Sequence, residues 1–257
     1  MKHELGFAEV NGAQIRYEMM GSGHPVVLIH GHTLDQRMWE RQFEPLAASF
    51  QVLQYDMRGY GRSSLPEGEY SQAADLQALL KLLKVKRAHV VGLSLGGGVA
   101  LDFALAFPEM IGGLVLVDST LPGRPWSTDF GDVFPLLSRA GRAGDVAGAR
   151  KIWGGHALFA PAMANPAIAP AMEAMLDAYS GWHWQNRNPS RHETEGIPAA
   201  LGRVAAPTLV VVGELDVPEF HQIAADLTRG IPKARFVAVP GAGHMAPMEA
   251  PEAFNSA

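Results

Sequence analysis

The chain has 257 residues, no cysteine, and 21 basic against 26 acidic side chains, for a net charge of −5. That length suits one elaborated domain, and no basic run supplies the electrostatic footprint that nucleic acid requires. Absent cysteine excludes a disulfide scaffold, a Cys-ligated zinc or iron–sulfur site and a thiol nucleophile.

The opening residues predict a hairpin, Gly6–Val10 and Ala13–Met20 around an Asn11-Gly12 turn. No signal-peptide stretch precedes it, so a cytoplasmic location is expected. Pro25–His30 is a continuous apolar run of the kind found in strands buried on both faces. A helix is predicted from Asp35 to Ser49, then a strand at Gln51–Tyr55 and a helix capped by Ser71. His89–Phe107 is apolar enough to suggest a membrane span, but four glycines and Asp102 interrupt it. It reads better as strand His89–Leu93, a tight turn and helix Leu95–Phe107, followed by strand Leu114–Val117. From Leu121 to Arg203 no core strand is predicted, and four of the five tryptophans fall there. Alternation resumes with strand Thr208–Val212, helix Pro218–Gly230, strand Arg235–Val239 and a last helix near Pro251. Strands alternating with helices imply right-handed crossovers and a mostly parallel sheet.

Gly92-Leu93-Ser94-Leu95-Gly96 fits G-x-S-x-G at a strand-to-helix junction. A serine displayed on so sharp a turn needs small residues two positions either side of it. Serine also needs a base, and the base needs an acid to orient it. Asp216 and His244 both follow predicted strands, in the chain order Ser, Asp, His, at the sheet edge where ligands bind. Asp216 is the favoured acid, with Asp118 at the end of Leu114–Val117 as the alternative. Backbone N–H groups of Leu95 and of His32 are the expected oxyanion-hole donors. Trp126, Val217 and Met245, together with Leu95, are candidates to line the substrate pocket. Trp153, Trp182 and Trp184 could equally pack the segment onto the core. A metal site at His30, His32 and Asp35 is a rival, but Gln36 stands where a further ligand would be needed. No metal and no organic cofactor are therefore expected.

Five blocks in order resemble the α/β-hydrolase superfamily. They are Val27–His32, Asp56–Ser63, Gly92–Gly97, Gly213–Asp216 and Gly241–His244 followed by Glu249-Ala250-Pro251. The resemblance implies an α/β fold with an eight-stranded, mostly parallel sheet and helices on both faces. Residues 1–120 and 204–257 would form the core, and 121–203 an inserted helical cap. It implies a structural role for the Asp56/Arg58 block. Ser94 argues against dehalogenases and epoxide hydrolases, which use Asp. Leu93 and Met245 argue against the carbon–carbon bond hydrolases. A serine esterase or enol-lactone hydrolase acting on a small molecule with water is the expected function. The alternatives are a cofactor-free perhydrolase (haloperoxidase-like) activity, or a non-catalytic small-molecule receptor on the same fold. The chain ends at Ala257, about one turn into its last helix, where the family normally continues for several turns.

Overall fold

The computed structural model describes residues 3–257. Eight strands form one sheet: β1 (His3–Val10), β2 (Ala13–Gly21), β3 (Pro25–Ile29), β4 (Gln51–Tyr55), β5 (Ala88–Leu93), β6 (Ile111–Val117), β7 (Thr208–Gly213) and β8 (Ala234–Val239). Their order is β1-β2-β4-β3-β5-β6-β7-β8. β2 is antiparallel to both β1 and β4, and every other pairing is parallel. This is the mostly parallel α/β architecture that the strand and helix rhythm predicts. Val27, Leu28 and Ile29 of β3 are fully buried, as a central strand covered on both faces requires.

The crossover helices are α1 (Glu40–Ala47), α2 (Gln72–Leu82) and α3 (Leu95–Ala106). The chain leaves β3 toward β4 and then moves the opposite way through β5 and β6. Right-handed connections therefore put α1 on one face and α2 with α3 on the other. α2 packs against α3 accordingly, and α3 against β5 and β6. Ser71 accepts a hydrogen bond from the Ala74 N–H, the cap its sequence position predicts.

Two boundaries differ from expectation. The segment after Asp35 begins as a 3-10 turn, Gln36–Trp39, because the Asp35 carboxylate accepts from the Arg37 N–H. β6 starts at Ile111, so Gly112 and Gly113 lie inside a strand. A side chain at Gly113 would collide with the His89 ring, and one at Gly112 would crowd the His24 and His89 rings, so the glycines make room for them.

Between β6 and β7 the chain is helical: α4 (Thr128–Gly131), α5 (Val133–Arg142), α6 (Val146–Gly154), α7 (Ala160–Ala164), α8 (Ala169–Ala178), α9 (Trp182–Gln185) and α10 (Ile197–Ala200). Both legs of this segment are tied to the sheet layers. Arg124 pairs with buried Glu219 and with Asp226 on α11 (Pro218–Gly230). Asp102 on α3 accepts from the backbone N–H groups of Glu193 and Thr194 at 2.9 and 2.8 Å. The chain closes with α12 (Ala246–Glu249) and α13 (Pro251–Ser256), which pack near α1. Among the described residues no helix is long and apolar enough to cross a membrane.

Candidate active site

Ser94 follows β5 directly and precedes α3, with φ 55° and ψ −116°. Non-glycine residues rarely take a positive φ, and such strain concentrates where a side chain must be presented. The flanking glycines explain how the turn closes. A Cβ on Gly92 would strike the Gly96 carbonyl, and one on Gly96 would strike the carbonyls of Ile29 and His30. The N-terminus of α3 lies beneath Ser94 and favours negative charge there.

His244 sits in the loop after β8 and is almost wholly buried. Its Nδ1 lies 2.8 Å from Asp216 Oδ2, in the turn after β7. A carboxylate only accepts, so Nδ1–H donates and the Nε2 lone pair is left free to act as a base. The Phe220 ring packs against the imidazole at 4.3 Å between centroids. Glu249 braces the loop by accepting from the N–H groups of Gly243 and Met245, at 2.7 and 3.0 Å. Ser94 and His244 border one small crevice together with Gly31, His32 and Met245.

Asp118 does not bond His244. Its Oδ1 accepts from the Gly213 N–H at 2.8 Å, and among the described residues its Oδ2 has no hydrogen-bond partner. Oxygens of Asp118 and Asp216 lie within 4.8 Å of each other and of a His244 ring nitrogen. Burial first, and then the Asp216 carboxylate, push the Asp118 carboxyl well above the usual range. Asp118 is thus the member of this acid pair that favours holding a proton.

The N–H of Leu95 opens α3, where a first-turn amide has no intrahelical acceptor. Among the described residues the N–H of His32 makes no hydrogen bond. Both residues border the cavity that contains Ser94. Beneath this loop, His30 Nε2 accepts from the Met57 N–H at 3.0 Å, and its Nδ1 bonds the Gly31 carbonyl at 2.8 Å. Asp56 accepts from the N–H groups of Gln36 and Arg62, each at 2.9 Å. Asp35 is paired with Arg37. Both His30 nitrogens are engaged and Asp35 is neutralised, so these side chains brace a loop and do not converge as ligands.

Residues 26–257 fit the model of the alpha/beta hydrolase family. The chain belongs to that family. This α/β-hydrolase is 30% identical to a 2-hydroxy-6-oxononadienedioate/2-hydroxy-6-oxononatrienedioate hydrolase of Paraburkholderia xenovorans, over 94% of the chain and 88% of that relative. It is 28% identical to a solved N-acyl homoserine lactone degrading enzyme, with 98% of each chain covered and a TM-score of 0.79. A match to an uncharacterized protein of Mycobacterium tuberculosis is 38% identical over 118 residues. It takes in 45% of this chain and only about a third (35%) of that relative's length.

The cavity of this α/β-hydrolase above Ser94 has a volume of about 310 Å³. Trp126 lines it as expected, and so do Trp153 and Trp184; Trp182 does not. Val217 is a correction: it packs on the core as the residue before α11 and is absent from the lining. Fully buried Met245 borders only the crevice beside His244. Sequence adjacency to Asp216 placed Val217 in the lining, but its side chain packs on the core instead. Sequence reasoning missed His183, Tyr60, Tyr70 and Phe220. Phe220 lies in the first turn of α11, just after the Asp216 turn.

Proposed function

We propose that the chain is a serine hydrolase that cleaves carboxylic esters or lactones through an acyl-enzyme. The observation that carries this reading is Ser94 on a strained turn, sharing a crevice with a histidine whose far nitrogen is tied to Asp216. Ser94 Oγ attacks the carbonyl carbon while His244 Nε2 takes its proton. Asp216 fixes the tautomer and stabilises the imidazolium. The N–H groups of Leu95 and His32 receive the charge on the tetrahedral oxygen. His244 then returns the proton to the departing alkoxide, and a water repeats the sequence on the acyl group. In this reading residues 1–120 and 204–257 are the core and 121–203 the cap, whose Trp126, Trp153 and Trp184 face the acyl-binding space. The solved relative that degrades N-acyl homoserine lactones supports a lactone or ester as the carbonyl compound.

The test is turnover of p-nitrophenyl acetate and butyrate and of a panel of simple lactones. Saturable hydrolysis that persists in the presence of a metal chelator is the expected result. No turnover of any ester or lactone would contradict the reading and favour a receptor.

A further inference from the structure

Resting on the serine-hydrolase reading, a further property follows from the cavity's charge. Among the described residues, no Lys, Arg, Asp or Glu lines it. Its two histidines are uncharged near neutral pH, because burial pushes His32 down to about 3 and His183 down to about 4. The cation behind this wall is Arg58, which is buried beneath the Tyr70 ring at 5.3 Å from its centroid. Asp75 holds the guanidinium with two bonds of 2.8 Å, so its charge is already matched.

The lining divides into two clusters. Trp126, Phe130, Phe134 and Phe220 pack on one another with centroids 4.8 to 6.3 Å apart. The other cluster is a chain of polar groups. His32 Nδ1 lies 2.8 Å from the Tyr60 hydroxyl, and the Tyr70 hydroxyl donates to Asn188 Oδ1 at 3.0 Å. His183 Nε2 lies 3.4 Å from that Tyr70 hydroxyl, and its Nδ1 lies 2.8 Å from the Tyr179 hydroxyl. Trp153 joins the two clusters, 5.9 Å from the His32 ring and 6.2 Å from Phe134. Every group in the polar chain can donate or accept without bearing charge. An anionic group placed here would lose its hydration and meet no cation, which is strongly unfavourable.

We propose that the substrate is an electrically neutral ester or lactone with an apolar chain and an uncharged hydrogen-bonding group, and that the cavity rejects carboxylate-bearing esters. The apolar chain lies against the Trp126 cluster and the hydrogen-bonding group against Tyr60, Tyr70 and His183.

Three p-nitrophenyl esters with one leaving group and comparable acyl chains test this: the hexanoate, the methyl adipate and the hydrogen adipate, whose free carboxyl is ionised at pH 7.5. The expected kcat/KM for the two neutral esters exceeds that for the hydrogen adipate by 100-fold or more. A hydrogen adipate processed within threefold of its methyl ester, or preferred over it, overturns the proposal and leaves the serine mechanism standing. Failure of all three, together with p-nitrophenyl butyrate, overturns the serine reading and this assignment with it. Ser138, which lines the cavity and is half-buried, provides a second arm. Ser138→Lys supplies the missing cation and is expected to raise the ratio of anionic to neutral kcat/KM at least tenfold. An unchanged ratio in a folded variant would contradict charge as the cause.

Discussion

Ser94→Ala is expected to lower kcat for p-nitrophenyl butyrate by on the order of 10⁶, leaving only the residual acceleration from binding and the oxyanion hole. The size follows from the division of labour at the site. Without Oγ there is no covalent intermediate, and His244 is too constrained to substitute. It is buried, tied to Asp216 at 2.8 Å and covered by Phe220. Alanine is smaller than serine and keeps the turn, so thermal unfolding of the variant should match wild type. Activity retained within tenfold in a purified variant would move the nucleophile elsewhere.

Asp216→Asn is expected to cost on the order of 10⁴ in kcat, the scale seen when a triad acid is replaced by its amide. An amide at this position can offer an N–H to His244 Nδ1. The ring proton then moves to Nε2, the nitrogen that must accept from Ser94. Asp118→Asn should behave differently, with a loss of no more than about tenfold, the low end of effects from partners of a catalytic group. Asparagine matches a protonated carboxyl in shape and charge, and its carbonyl oxygen can still accept from the Gly213 N–H as Asp118 Oδ1 does. Steady-state kinetics on the two variants separate the roles. Equal losses, or a larger loss at Asp118, would transfer the charge and the orienting role to Asp118.

Most of the fold was legible because local chemistry and global topology agree. The apolar run at β3, the Ser71 cap and the Pro218–Gly230 helix limits each reflect a backbone requirement that one residue type satisfies. The placement of Ser94, Asp216 and His244 at one sheet edge was legible for the same reason. A nucleophile turn needs Gly92 and Gly96, and chain order limits where its partners can stand. Chain order favoured Asp216 over Asp118 as the partner of His244, but the sequence left Asp118 as an alternative. The choice depends on which carboxyl points at Nδ1, and β6 and β7 are adjacent strands that bring both within reach. The predicted strand starts only at Leu114 because the sequence alone does not reveal the His89 ring packed over Gly113. The cavity was the least legible part. His183, Tyr70 and Phe220 come from three separate regions of the chain and converge only through the packing of the helical segment on the sheet.

The most direct test of the central claim is covalent labelling with a p-nitrophenyl alkylphosphonate, followed by peptide mass mapping. One equivalent should attach, on the tryptic peptide that contains Ser94, with parallel loss of ester hydrolysis. The His244→Ala variant should label far more slowly, because the base that activates Oγ is gone. A label found on another residue, or hydrolysis that survives stoichiometric labelling of Ser94, would contradict the account.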